Sequence, residues 1–251
     1  MGNMCMRYEP PPNPLLPLYE SLCSEIEADL KLSSIDIEKF EEAINIVCYP
    51  NKAIDNNTLA KVYTRFGVGE DTFLDIEKPF IRFFDMLAQS GDRRRIIIMS
   101  MLPFCNGSLE RKKRILWVSL DLEKENLIYR KLLTNAIHTF IILSTKIIPT
   151  LVAMKPKYKA NPVTDLQALL ECDEDIINEY AEKYLPPDDS EDANENDTVS
   201  DSEKVIKRGE YEQWFGKISA EHLFSSTYHR KALLRHITVQ DSVAGIEMAP
   251  S

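Results

Sequence analysis

The densest set of oxygen ligands lies between Pro186 and Glu203, where eight Asp and Glu side chains occur with no Lys or Arg. Within it Asp192, Asn194, Asn196, Ser200 and Glu203 take the first, third, fifth, ninth and twelfth places of a twelve-residue stretch, with apolar Val199 eighth. Oxygen donors at alternate places, closed by a glutamate, are the spacing that wraps calcium, because the ion takes about six to eight oxygens and a carboxylate can supply two. Two features oppose this. Pro186-Pro187 breaks any helix leading into the stretch, and a segment this rich in Asp, Asn and Glu meets the template through composition, so a solvated acidic tether is the other reading. A weaker set is Asp121, Glu123 and Glu125. There Asn126 stands where a glycine bend is wanted, and Leu132 where the closing glutamate belongs. Calcium at one or two sites at most is the ion chemistry expected.

Other chemistries find less support. His222, His229 and His236 recur every seventh residue, but two helical turns separate side chains by about 10.5 Å, too far for one metal ion. One solvated or groove-lining face is expected for them. No Gly-x-Ser-x-Gly, His-Glu-x-x-His or Walker sequence occurs, so no enzyme is expected. Eight Gly in 251 residues also argue against phosphate-cradling loops. The net charge is −10, and removing the eight acids of the run leaves −2 on the rest. Nucleic acid is not an expected partner, since it needs a basic face. Arg93–Arg95 and Arg111–Arg114 are read as solvated helix faces. The five cysteines are scattered, which excludes a Cys-x-x-Cys unit and suits a reducing, cytoplasmic compartment. At the N-terminus, Gly2 would be exposed by loss of Met1 and Cys5 lies near it, so both are lipidation candidates. Met6 departs from the Ser or Thr that the acylation motif prefers. Peripheral attachment to a membrane surface would follow.

The elements that would position these groups are helical. After the extended segment Pro10–Pro17, Leu18, Leu22, Ile26 and Leu30 share a face, and Ile37, Phe40, Ile44 and Val47 share the next. Further apolar sets follow at Leu59–Phe66, Phe80–Phe84, Ile96–Leu102 and Ile115–Leu120. The apolar stretch Asn135–Val152 is broken by His138, Ser144, Lys146 and Pro149, so it reads as a buried helix and not a membrane span. No period-two alternation is convincing, and no signal peptide is visible. The fold class expected is all-α.

Short helices joined by loops of about a dozen residues follow the EF-hand plan. Gly107-Ser108-Leu109-Glu110-Arg111-Lys112, followed by Trp117 and Asp121, resembles the entry to the third hand of neuronal calcium sensor proteins, the recoverin and potassium-channel-interacting-protein group. Residues 62–71 and 80–85 resemble that family's first hand and the entry to its second. The likeness covers roughly residues 45–135 and implies an EF-hand pair-of-pairs with an acidic insertion in the fourth hand. The expected layout is an acylation and Pro-rich segment at 1–17, a degenerate hand pair at 18–104, a second pair at 105–236 containing the insertion 186–203, and a tail at 237–251. The first two loops, starting near Tyr49 and at Asp85, lack calcium ligands. The resemblance implies a calcium-sensor-like adaptor that binds a helical segment of a target protein, with Trp117, Phe80, Phe83, Phe84 and Trp214 as candidates for its groove or core. The alternative is a calcium-independent structural or regulatory subunit, calcineurin B-like or cytoskeletal.

Overall fold

A computed structural model gives the fold, and the residues it describes are 17–47, 54–67, 93–121, 124–159, 163–186, 204–218 and 220–247. The regular structure of the described chain is helical apart from one ribbon of two three-residue strands. Extended Pro17 precedes α1 (Leu18–Asp29), which buries Tyr19, Leu22, Cys23 and Ile26 along one face. Lys31, at φ 53°, ends that helix, and a 3-10 turn at Leu32–Ser34 leads to α2 (Ile37–Val47). The first amides of a helix have no partner inside it. Asp36 supplies one, its Oδ1 accepting from Glu38 and Lys39 at 3.0 and 3.1 Å. In the same way Asp55 accepts from Thr58 at 2.7 Å to start α3 (Asn56–Thr64). Phe40 of α2 packs edge-on to Tyr63 of α3, ring centroids 5.6 Å apart.

Next come α4 (Arg93–Met101) and α5 (Leu109–Leu120). Between them Asn106 bridges back to the start of α2: Ile37 N–H donates to the Asn106 carbonyl at 3.0 Å, and Asn106 N–H to the Ile35 carbonyl at 2.9 Å. Gly107 sits behind this bridge at φ +153°, and a Cβ there would stand 2.7 Å from Ile37 Cγ2. Only glycine fits.

The middle of the fold is α6, continuous over Arg130–Met154 with a π-helical turn at Leu143–Ile147. Pro149 accounts for the irregularity: it has no N–H for the Thr145 carbonyl and its ring crowds that group, a conflict that one extra residue in the preceding turn relieves. α6 is long and apolar enough by length and composition to cross a bilayer, yet 56% of its most apolar window is buried inside the fold. α1 packs on its C-terminal part. After a short α7 (Pro156–Lys159), α8 (Thr164–Glu171) and α9 (Glu174–Glu182) cover other faces of α6. Then follow α10 (Arg208–Lys217), a short α11 (Ala220–Leu223) and the long α12 (Ser226–Glu247).

A buried ion pair closes the structure. Arg230 of α12 is 0% exposed and Glu20 of α1 1%. The guanidinium grips both Glu20 oxygens at 2.8 and 2.6 Å and reaches Glu27 at 2.7 Å. It also donates to the Ser144 carbonyl in the π turn at 3.4 Å. Burial by itself would raise the Glu20 carboxyl, but the Arg230 hydrogen bond and charge hold it below its ordinary value. The first helix of the described chain is thus fastened to the last.

Candidate functional site

The site begins where α5 stops. Asp121 caps its C-terminus and turns both carboxylate oxygens onto the following loop, Oδ1 accepting from Glu125 N–H at 3.1 Å and Oδ2 from Asn126 N–H at 3.2 Å. Lys124 and Asn126 adopt φ of 59° and 60°, the left-handed region where a non-glycine residue needs an outside reason to stay. The two amide bonds to Asp121 are that reason. Asn126 is also the residue type that enters this region at least cost after glycine, so its place at the bend is physically reasonable.

From the bend the chain runs into β1 (Leu127–Tyr129), which pairs antiparallel with β2 (Val205–Lys207). Ile128 lies opposite Ile206, with Leu127 opposite Lys207 and Tyr129 opposite Val205. Ile128 and Ile206 point inward, 0% and 6% exposed. Backbone bonds from Arg130 to the Lys204 carbonyl (2.9 Å) and from Arg208 to the Asn126 carbonyl (3.2 Å) extend the ladder at both ends. On the far side Lys207 N–H donates to Glu210 Oε2 at 2.8 Å as α10 begins. The strand opposite Ile128 therefore lies beyond Glu203, and its centre, Ile206, is seven residues past Val199.

Behind the ribbon is an aromatic cluster. Trp117 and Trp214 are 2% and 4% exposed and both pack on Tyr211, at 4.9 and 5.5 Å between centroids. Trp214 Nε1 donates to the Tyr184 carbonyl at 3.0 Å, and Tyr211 Oη to the Lys113 carbonyl at 3.0 Å. Of their two expected roles, groove or core, both tryptophans take the core. In the basic run on α5 Arg111 and Arg114 are exposed, as expected, at 49% and 47%, whereas Lys113 is mostly covered at 14%. Arg111 pairs with Asp36 and Glu38, and Arg114 with Glu38 and Glu41, while Lys113 pairs with Glu212. The run ties α5 to α2 and α10.

The histidines also separate. His222 is on α11 and stacks on Tyr228 at 3.7 Å, whereas His229 and His236 are on α12, so the seven-residue spacing does not describe one helix. His229 is 0% exposed; its Nε2 donates to the Leu223 carbonyl at 2.9 Å and its Nδ1 accepts from Tyr180 Oη at 3.3 Å. Burial pulls its imidazole down to about 4. His236 instead pairs with Glu179. Burial likewise raises the thiols of Cys23 and Cys105 to about 12, which leaves them inert.

The largest surprise lies on α6. A cavity of about 460 Å³ opens between α4, the end of α5 and α6. Leu132, the residue where a closing glutamate would stand, lines it beside Leu120 and Met99. His138 also borders it, with Nε2 buried and without a hydrogen-bond partner, and burial lowers its pKa. Nothing in the sequence marks this space, because its walls come from three helices far apart in the chain.

The fit of calcium to the third loop is poor. Leu132 brings no oxygen at the place of the closing carboxylate, so the bidentate contact is missing. Among the described residues no three His, Cys, Asp or Glu side chains converge to hold a metal ion. Glu123, the candidate loop Asp192–Glu203, the lipidation candidates Gly2 and Cys5, the aromatics Phe80, Phe83 and Phe84, and the first residues of the loops near Tyr49 and at Asp85 lie outside the described residues. Comparison with family models, curated proteins and solved structures returns no match.

Proposed function

We propose that the chain is an EF-hand-type adaptor that binds a helical segment of a target protein, and that its third loop keeps its shape without a metal ion. The observation that carries this reading is the loop after α5. Asp121 gathers two loop amides, residues 124 and 126 turn left-handed, and the centre of the loop pairs antiparallel with β2, the strand that leads into α10. Of the two forms foreseen for such a protein, the calcium-independent subunit gains support from Leu132, which replaces the closing carboxylate. It also gains from the strand register. If the loops meet eighth residue to eighth residue, Ile206 puts the start of the fourth loop at Val199 and its close at Glu210. Asp192, Asn194 and Asn196 then precede the loop. Acylation at Gly2 and Cys5 and a peripheral cytoplasmic location belong to the same proposal, and intact-mass measurement of the native N-terminus checks them.

Calcium calorimetry on the full chain tests the reading. No binding tighter than about 1 mM, the weak end for such loops, is expected. The Glu125 and Asn126 amides should stay protected from exchange in chelator and lose protection in Asp121→Ala. A tighter site abolished by Glu210→Gln would make the protein a calcium-driven sensor whose fourth loop runs from Val199 to Glu210; one abolished by Glu203→Gln alone would restore the loop at 192–203. For the adaptor role the probe is a synthetic basic amphipathic helix, chosen because the chain carries a net −10. A raised melting temperature is expected, and none at saturating peptide rejects the role.

A further inference from the structure

We infer that the cavity between α4, α5 and α6 is a binding site for a small, uncharged, mostly apolar molecule that carries one hydroxyl group. Its volume of about 460 Å³ falls within the range of about 300–1,000 Å³ that small-ligand sites occupy. Ile96, Met99, Leu120 and Leu132 give it an apolar floor suited to hydrocarbon. Neither sign of charge finds a free counter-charge in the wall. No Asp or Glu lines the cavity among the described residues, and Arg95, which does line it, already has an interaction partner. An ion entering would give up water with nothing free to meet it, so anion and cation are both disfavoured. A pure hydrocarbon would leave one demand unmet. Nε2 of His138 is buried beside the cavity with no hydrogen-bond partner among the described residues, and folded proteins rarely leave such an atom unsatisfied. Burial lowers the His138 pKa, which keeps the ring uncharged at neutral pH, and Nε2 then offers one donor or one acceptor according to its tautomer. A hydroxyl answers either case, because it both donates and accepts. Thr139 does not compete for the same atom, since its hydroxyl donates to the Asn135 carbonyl at 2.7 Å. The site stands apart from the proposed adaptor role, since it rests on the cavity and not on the loops.

The test titrates the full chain at neutral pH with octanol, octanoate and octylammonium, each below its solubility or micelle limit. Binding is read by calorimetry, by the nitrogen-15 signal of His138 Nε2 and by the carbon-13 methyl signal of Met99. Octanol should bind one to one, about tenfold or more tighter than either ion, and should move both signals. His138→Phe keeps a ring and removes the polar atom, so it should weaken octanol about tenfold, the loss of one hydrogen bond. No octanol binding at saturation overturns the assignment, and so does equal binding of either ion. Octanol that leaves the His138 or Met99 signal unmoved, or that binds His138→Phe as tightly as the parent, overturns it as well. Should His138→Phe fail to fold, the two signals of the parent still decide.

Discussion

At the scale of single residues, the titration of His229 has a measurable consequence for stability. The ordinary value of its imidazole is 6.5 and the folded value about 4. Between those limits the unfolded chain holds a proton that the folded chain refuses, so stability is full above pH 6.5 and falls as the pH drops toward 4. The share owed to His229 is about 3 kcal/mol across that window. His229→Gln, which keeps a donor for the Leu223 carbonyl, should flatten the pH dependence of urea unfolding by about that amount. Parallel profiles for parent and variant would show that burial of this imidazole does not matter to stability. A side chain's role is legible in the sequence where its chemistry is local: Asp121 followed by further acids marks a loop start whatever surrounds it. It is hidden where burial decides it. His229 looks like its neighbours in the sequence, yet only the packing of α9 and α12 makes it a neutral, fully buried group.

At the scale of elements, helices are legible where apolar residues three and four apart share a face, and α1 to α6 fall where that spacing places them. The strands are not. Three residues are too few for an alternation signal, and nothing local links Ile128 to its partner Ile206, 78 residues on. The π turn is equally hidden, although Pro149 hints at strain in a helix that the fold keeps unbroken. The ribbon itself can be tested. Ile128 is buried at its centre and Val205 is 43% exposed on its outer face. Ile128→Asp puts an unpaired charge inside and should cost about 3 kcal/mol or more, with loss of exchange protection at Arg130 and Arg208. Val205→Thr should stay within about 0.5 kcal/mol. If both variants unfold at the parental urea midpoint, the pairing does not contribute to the fold.

At the scale of the whole molecule, the sequence suggests two hand pairs divided near residue 104, with α1 in the first. In the structure α1 packs along α6, its Glu25 and Asp29 meet Lys155 at 3.3 and 2.9 Å, and its Glu20 meets Arg230. No local pattern announces this, because the partners stand 210 residues apart. The energetics of such a pair are asymmetric. Moving both charges out of water is costly, so the intact pair adds little, but removing one partner strands the other and costs about 3–5 kcal/mol. Deleting residues 1–29 strands Arg230 in the core with neither Glu20 nor Glu27 and uncovers the apolar face of α6. That truncation should abolish cooperative unfolding and near-ultraviolet circular dichroism. Arg230→Met separates charge from packing. Alone it should lose about 3 kcal/mol or more, and paired with Glu20→Gln it should recover part of that loss, since the second change removes the stranded carboxylate. A double variant as unstable as the sum of the singles would show the two groups acting independently, and α1 would then be held by its apolar face alone.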